Sequence, residues 1–164
     1  MRKMNIGTAL AIALFLGACS QPETASEWWQ KAQSAIDGHK GKKAVKYLGG
    51  LLKEFPDDVL APRAQFQLAE VYLNNLREPK KAIKEYDRTF TDYSDSEWAP
   101  KALFMVGFVS ANHTGDLAKA KTAYEQFREK YPDHLLTASV NFELKNLGVP
   151  VEEISDLKEF IYEP

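Results

Sequence analysis

Few side chains in this chain are equipped for chemistry, and their spacing narrows the options further. Cys19 is the one cysteine among 164 residues. The chain therefore cannot close a disulfide on itself, and no Cys/His metal set can form around this thiol. That leaves an isolated buried group or a point of covalent attachment. The three histidines, His39, His113 and His134, each fall beside an expected loop or helix end. None has the His-Glu-x-x-His spacing that places two imidazoles on one helix face for zinc. No Gly-x-Ser-x-Gly elbow presents a serine, and no phosphate loop is present. The acidic residues are scattered as on solvated helix surfaces. These features predict no enzyme, no cofactor and no metal. The net charge of −2 comes without the clustered basic face that nucleic-acid binding requires, so no nucleic-acid partner is expected.

The setting of Cys19 decides its role. Arg2 and Lys3 precede an apolar stretch from Met4 to Gly17. That stretch is too short to span a bilayer, which takes ~20 apolar residues, and has the size and flanks of a secretory signal core. Leu16-Gly17-Ala18-Cys19 resembles the bacterial lipobox. The resemblance implies a diacylglycerol thioether on Cys19, cleavage between Ala18 and Cys19, and acylation of the new amino group. Each buried CH2 contributes ~0.8 kcal/mol, so two or three acyl chains hold a protein at a membrane essentially permanently. Loss of Arg2 and Lys3 brings the mature charge to −4. Ser20 stands where, in enteric bacteria, an aspartate favours retention at the inner membrane. By that analogy the expected location is the periplasmic side of the outer membrane, with the inner membrane as the alternative. Residues Ser20 to Glu23 reach about 14 Å at most, which keeps the folded body near the membrane.

Beyond the anchor, the elements that position every other side chain come from an internal repeat. Sliding the chain by 38 residues places Lys43-Ala44-Val45-Lys46 on Lys81-Ala82-Ile83-Lys84 and then on Lys119-Ala120. Phe55-Pro56-Asp57 falls on Tyr93-Ser94-Asp95 and Tyr131-Pro132-Asp133, and Trp28, Phe66, Phe104 and Phe142 share one register. Each unit reads as two helices. In the third unit Ser94 and Glu97 have capping-box spacing. Ala99, Ala102, Leu103, Val106 and Val109 then follow one helix face, and Asn112 to Gly115 breaks the run. Asp116 caps a second helix carrying Leu117, Ala120, Ala123, Tyr124 and Phe127 on one side. Thr24 and Glu27 form another capping box, and Pro79 opens a helix where its missing N–H costs nothing. No segment alternates with period two, so no sheet is expected. Ala44, Ala82 and Ala120 are small so that paired helices can cross closely, and the aromatics fill the wider gaps between pairs. One pair cannot bury its own apolar face, so at least three must stack.

These positions resemble the tetratricopeptide repeat, whose motif is Trp-x2-Leu-Gly-x2-Tyr, then an alanine, an aromatic and a closing proline. Trp28, Ala32, Ala44, Leu48 and Pro56 fit the first unit. Phe66, Ala82 and Tyr86 fit the second, with Ser94 in place of the proline; Phe104, Ala120, Tyr124 and Pro132 fit the third. The unit length of 38, against the usual 34, and the closing Tyr131-Pro132-Asp133 are similar to the subgroup in outer-membrane assembly lipoproteins (the BamD type) and in Tol-Pal coordinator proteins. The BamD-type proteins carry more repeats than this chain.

The resemblance implies an all-α fold of helical hairpins stacked as a short right-handed superhelix. Residues 1–18 are then the signal peptide and 19–23 a short linker. Three repeats (24–58, 59–96 and 97–134) and a capping helix fill 24–147, and 148–164 form a tail or short helix. In that tail Ile154, Leu157, Phe160 and Ile161 show helical spacing, suited to packing on the last repeat or filling a neighbour's groove. The family's concave groove is lined by the first helix of each pair. By register this places Trp29, Gln33, Gln67, Val71, Asn74, Asn75, Met105, Val109, Asn112 and His113 near it. Amides with apolar neighbours suit an extended or helical peptide; Val71, Met105 and Val109 have a second reading as core. Where chaperone-binding members clamp a carboxylate this chain has Trp29, Gln33, Leu68, Ala102 and Val106, so that clamp is absent.

The implied function is a membrane-anchored scaffold that binds envelope proteins or peptides, in outer-membrane protein assembly or envelope maintenance. The alternative is a peptidoglycan or lipid binder. It would need an aromatic cleft, for which Trp29 and Trp98 are available while Trp28 is expected in the core. Oligomeric state is left open.

Overall fold

In the computed structural model, residues 23–150 and 153–154 are described; the signal-peptide and lipidation positions Ala18 and Cys19 lie outside them. The described residues form seven α-helices and no strand. They are α1 (Ala25–Asp37), α2 (Gly41–Glu54), α3 (Ala61–Glu70), α4 (Pro79–Asp92), α5 (Trp98–Val109), α6 (Leu117–Lys130) and α7 (Thr137–Lys145). Each packs on the next, giving the hairpins α1–α2, α3–α4 and α5–α6, with α7 closing the array on α6.

The ends of the helices follow local chemistry. Thr24 and Glu27 form a reciprocal capping box on α1, with Glu27 N donating to Thr24 Oγ1 at 3.2 Å and Thr24 N to Glu27 Oε2 at 2.8 Å. Pro79 opens α4, and Asp116 accepts from Lys119 N at 2.9 Å to cap α6. Ser94 and Glu97 do not form the expected box. α5 starts only at Trp98, and its N-terminal flank has no side-chain cap. The reason is a loop geometry shared by all three inter-hairpin connections. Two successive short turns run Phe55–Asp58–Ala61, Tyr93–Ser96–Ala99 and Tyr131–His134–Thr137, with N···O distances of 2.8–3.2 Å. The middle residue, not Ser94, carries the stabilising side chain. Asp58 Oδ1 accepts from Leu60 N at 2.8 Å, His134 Nδ1 accepts from Leu136 N at 3.1 Å, and Ser96 Oγ donates to Tyr93 O at 2.7 Å.

The turns inside the hairpins repeat as faithfully. His39, Arg77 and Gly115, one repeat apart, all adopt left-handed backbone, with φ of 54°, 57° and 68°. Glycine occupies that region freely, whereas a residue with a Cβ is strained there. The break expected between Asn112 and Gly115 falls at its last residue. α5 continues through a π-helical turn, Ser110–Thr114, and ends at Gly115; α3 likewise runs into a π-helical turn, Val71–Asn75. The wider turns carry the chain to the bend at which the second helix starts.

Two apolar clusters share α3 as a wall. Ala61, Ala64, Leu68 and Val71 face α1 and α2, where Ala32, Ala44, Leu48 and Leu51 are buried. Phe66, Ala69 and Leu73 face the second cluster, which runs through Tyr86, Val106, Tyr124 and Phe127 to Val140 of α7. Ala44, Ala82 and Ala120 are wholly buried, as crossings between close helices require. Phe66 meets Tyr86 at 5.1 Å between ring centroids, and Phe104 meets Tyr124 at 6.0 Å, one repeat later. Burying a large apolar side chain contributes about 1.5–3 kcal/mol, and these rings join each hairpin to the next. Trp28 is only half-buried. Its ring covers Gly50, where a Cβ would come within 2.7 Å of it.

Candidate functional site

The first helices of the three hairpins bring a distinct set of side chains together. Gln33 of α1 donates through Nε2 to Gln67 Oε1 of α3 at 3.3 Å. One turn away, the guanidinium carbon of Arg63 (α3) lies 4.8 Å from the Trp29 ring centroid (α1) and 5.9 Å from that of Trp98 (α5). Lys101 Nζ lies 4.4 Å from the Trp98 ring, and Glu97 holds it at 3.0 Å. Trp29, Arg63, Trp98 and Lys101 therefore form an alternating ladder of indole and cation across three helices. A cation over an aromatic face gains from the ring quadrupole, by ~0.5–1 kcal/mol where exposed.

The periodicity of the repeat explains the placement. Arg63 and Lys101 are one repeat apart, as are Trp29, Gln67 and Met105. None of these positions belongs to the buried stripes Ala64–Leu68–Val71 and Ala102–Val106–Val109, although Trp29 and Met105 pack partly buried against the clusters. Glu70 stands half-buried on the same helix. Burial holds its carboxyl above the usual carboxylate range, and the Arg63 charge only partly offsets this.

The positions mapped by the family resemblance divide into three groups. Trp29, Gln33 and Gln67 come together, and Met105 is half-buried beside the second cluster. Val71 and Val109 are 1% and 0% exposed. Each closes a core stripe at helical spacing, so both belong to the core and offer no surface. Asn74, Asn75, Asn112 and His113 lie in the π-helical turns, where a period of 3.6 no longer predicts the face. Asn75 packs beside Gly41. Asn112 is exposed and bonds back to Phe108 O at 3.0 Å. His113 lines a cleft of about 550 Å3 with Glu78, Pro79, Lys80, Lys81 and Thr114, at the hairpin-turn end of the array.

Arg63 and Lys101 escaped the sequence reading. The signal was present, because two cations one repeat apart on first helices mark a non-core position. Trp98 lies in the sequence just before the third first-helix stripe, and only the fold shows that it meets Arg63. No group of three or more His, Cys, Asp or Glu suited to a metal ion occurs among the described residues.

Residues 63–96 and 101–134 match the tetratricopeptide repeat family, two spans set one 38-residue step apart. The chain thus has a tetratricopeptide-type helical-repeat fold. The hairpin α1–α2 lies outside the matched spans but repeats the same turn geometry. Comparison with curated proteins gives no match. Tetratricopeptide repeats are in general scaffolds for protein–protein interaction.

Proposed function

We propose that this protein is a lipid-anchored scaffold of the bacterial cell envelope, which binds a protein or peptide partner on the face of its first helices. The observation that carries the binding part is the set Trp29, Gln33, Arg63, Gln67, Trp98 and Lys101, gathered from three helices at the margin of the core, where Trp29 and Trp98 back onto the two clusters and Arg63 is exposed. Rigid aromatics, stacked arginine and open amides are the residue types that anchor protein interfaces.

The anchoring part rests on Leu16-Gly17-Ala18-Cys19 behind a basic terminus and an apolar run. The capping box at Thr24 starts the folded body five residues after Cys19, so the array stands close to the bilayer. The repeat length and the Tyr-Pro-Asp closure, shared with outer-membrane assembly lipoproteins, favour a role in assembling or maintaining that membrane, with the protein on its periplasmic side. A glycan-binding role fits less well. Sugars stack on open aromatic faces, and here Arg63 and Lys101 cover faces of Trp29 and Trp98.

Affinity capture from crosslinked cells, native against Cys19→Ala, tests this reading. The expected result is an envelope protein recovered with the native chain and lost with the variant, together with loss of the membrane fraction. Equal recovery from soluble and membrane fractions would remove the anchor from the proposal. Recovery of cell-wall fragments without protein would replace the scaffold by a glycan binder.

A further inference from the structure

Arg63 is exposed, and its guanidinium makes no ion pair with any described carboxylate. The indoles of Trp29 and Trp98 flank it, with the guanidinium carbon 4.8 and 5.9 Å from their ring centroids. A cation–π contact does not consume the guanidinium N–H donors, and those of Arg63 have no hydrogen-bond partner among the described residues. A guanidinium fork with free donors suits bidentate contact with a carboxylate. Lys101, at the same repeat position on the next first helix, adds a second cation beside Trp98. Glu97 engages it in an exposed pair, the kind that exchanges readily with a competing anion.

We propose that the Trp29–Arg63–Trp98–Lys101 ladder is a seat for an acidic peptide segment, with one carboxylate forked by Arg63 and a second received by Lys101. This deepens the binding role given above and rests on it. The choice of occupant follows from charge complementarity: the ladder offers the unpaired Arg63 guanidinium and, behind an exchangeable pair with Glu97, the Lys101 ammonium, both beside indole, and the carboxylate on α3, Glu70, is half-buried. Packed helices lie about 8–10 Å apart, and an extended chain covers roughly 10 Å in three residues. The acidic residues of the occupant are therefore expected three apart, with apolar or aromatic residues between them to lie against Trp98 and Met105.

The test is selection of displayed random dodecapeptides on the immobilised full-length protein and on Arg63→Gln. Arg63 is exposed, so the variant should retain the native melting temperature, and Arg63→Lys serves as a charge-conserving control. The expected result is enrichment of Asp and Glu, at a spacing of three, on the native protein and not on Arg63→Gln. Synthetic copies of the selected peptides should lose about tenfold or more in affinity for Arg63→Gln, with partial recovery in Arg63→Lys. They should also perturb the tryptophan fluorescence of the native protein and weaken with added salt. Peptides no more acidic than the library, displaced by Trp29→Ala but indifferent to Arg63→Gln, would overturn the acidic seat and leave the binding face standing. Selected peptides indifferent to Trp29→Ala, Gln67→Ala and Arg63→Gln alike would overturn both.

Discussion

The loops between hairpins and the first-helix face obey the same 38-residue step with opposite results. At the loops, Phe55, Tyr93 and Tyr131 end their helices in nearly one conformation, with φ of −136°, −127° and −132°. The same pair of short turns follows each of them. On the face, equivalent positions hold Arg63 and Lys101, or Trp29, Gln67 and Met105, while the first repeat has the buried Ala25 where the others have a cation. Where the step sets backbone and packing, the repeats agree; where side chains leave the core, they diverge. Stability therefore resides in the repeated positions and specificity in the divergent ones.

The sharpest way to break this contrast is to truncate one residue of each kind. Phe127 is wholly buried between α6 and α7, so Phe127→Ala should cost about 3–5 kcal/mol. Gln67→Ala, which removes one half-exposed amide, should cost less than about 1 kcal/mol. Chemical denaturation of both variants checks the pair.

Close helix approach is tested next. A Cβ at Gly107 would lie 2.5 Å from the buried Tyr124 ring, whereas one at Gly49 meets nothing within 4 Å. Gly107→Ala should destabilise by about 1–3 kcal/mol through overpacking. Gly49→Ala should stabilise by roughly 0.5–1 kcal/mol, the ordinary gain in a helix interior.

A smaller effect belongs to the left-handed turns. Gly115 has open space around it, so Gly115→Ala isolates backbone strain and should cost about 1 kcal/mol. Arg77→Gly, at the same turn one repeat earlier, should relieve strain and raise the melting temperature slightly.

The smallest effect concerns pH. In the fold Glu70 binds its proton more tightly than it does in the unfolded chain, because burial raises its pKa. Its destabilising contribution is absent below the ordinary carboxylate range and grows as pH rises through the raised value. Glu70→Gln should thus melt slightly higher than the native protein at neutral pH, and the gap should close below pH ~4.

Much of this fold was legible in the sequence because repetition multiplies weak signals. Ala44, Ala82 and Ala120 at one register announce three close crossings, and the Thr24 and Asp116 caps are local chemistry. The Ser94–Glu97 box misled because its spacing is right while the preceding aromatic, Tyr93, already commits the chain to a turn closed by Ser96. The face was half legible. Trp29, Gln33 and Gln67 follow from a 3.6-residue period. Beyond Glu70 and Val109 the π-helical turns change that period, so a 3.6-residue register does not fix the face on which Asn74, Asn75, Asn112 and His113 lie. The Arg63–Trp98 contact is tertiary and has no local sequence signal.

The most direct test is site-specific photocrosslinking in intact cells. A photoreactive residue is placed in turn at Gln33, Gln67 and Met105 on first helices, and at Lys46, Lys84 and Thr122 on second helices. The expected result is a discrete protein adduct from the first-helix positions alone. Adducts from the second-helix positions alone, or equally from both sets, would contradict the assignment of the first helices as the binding face.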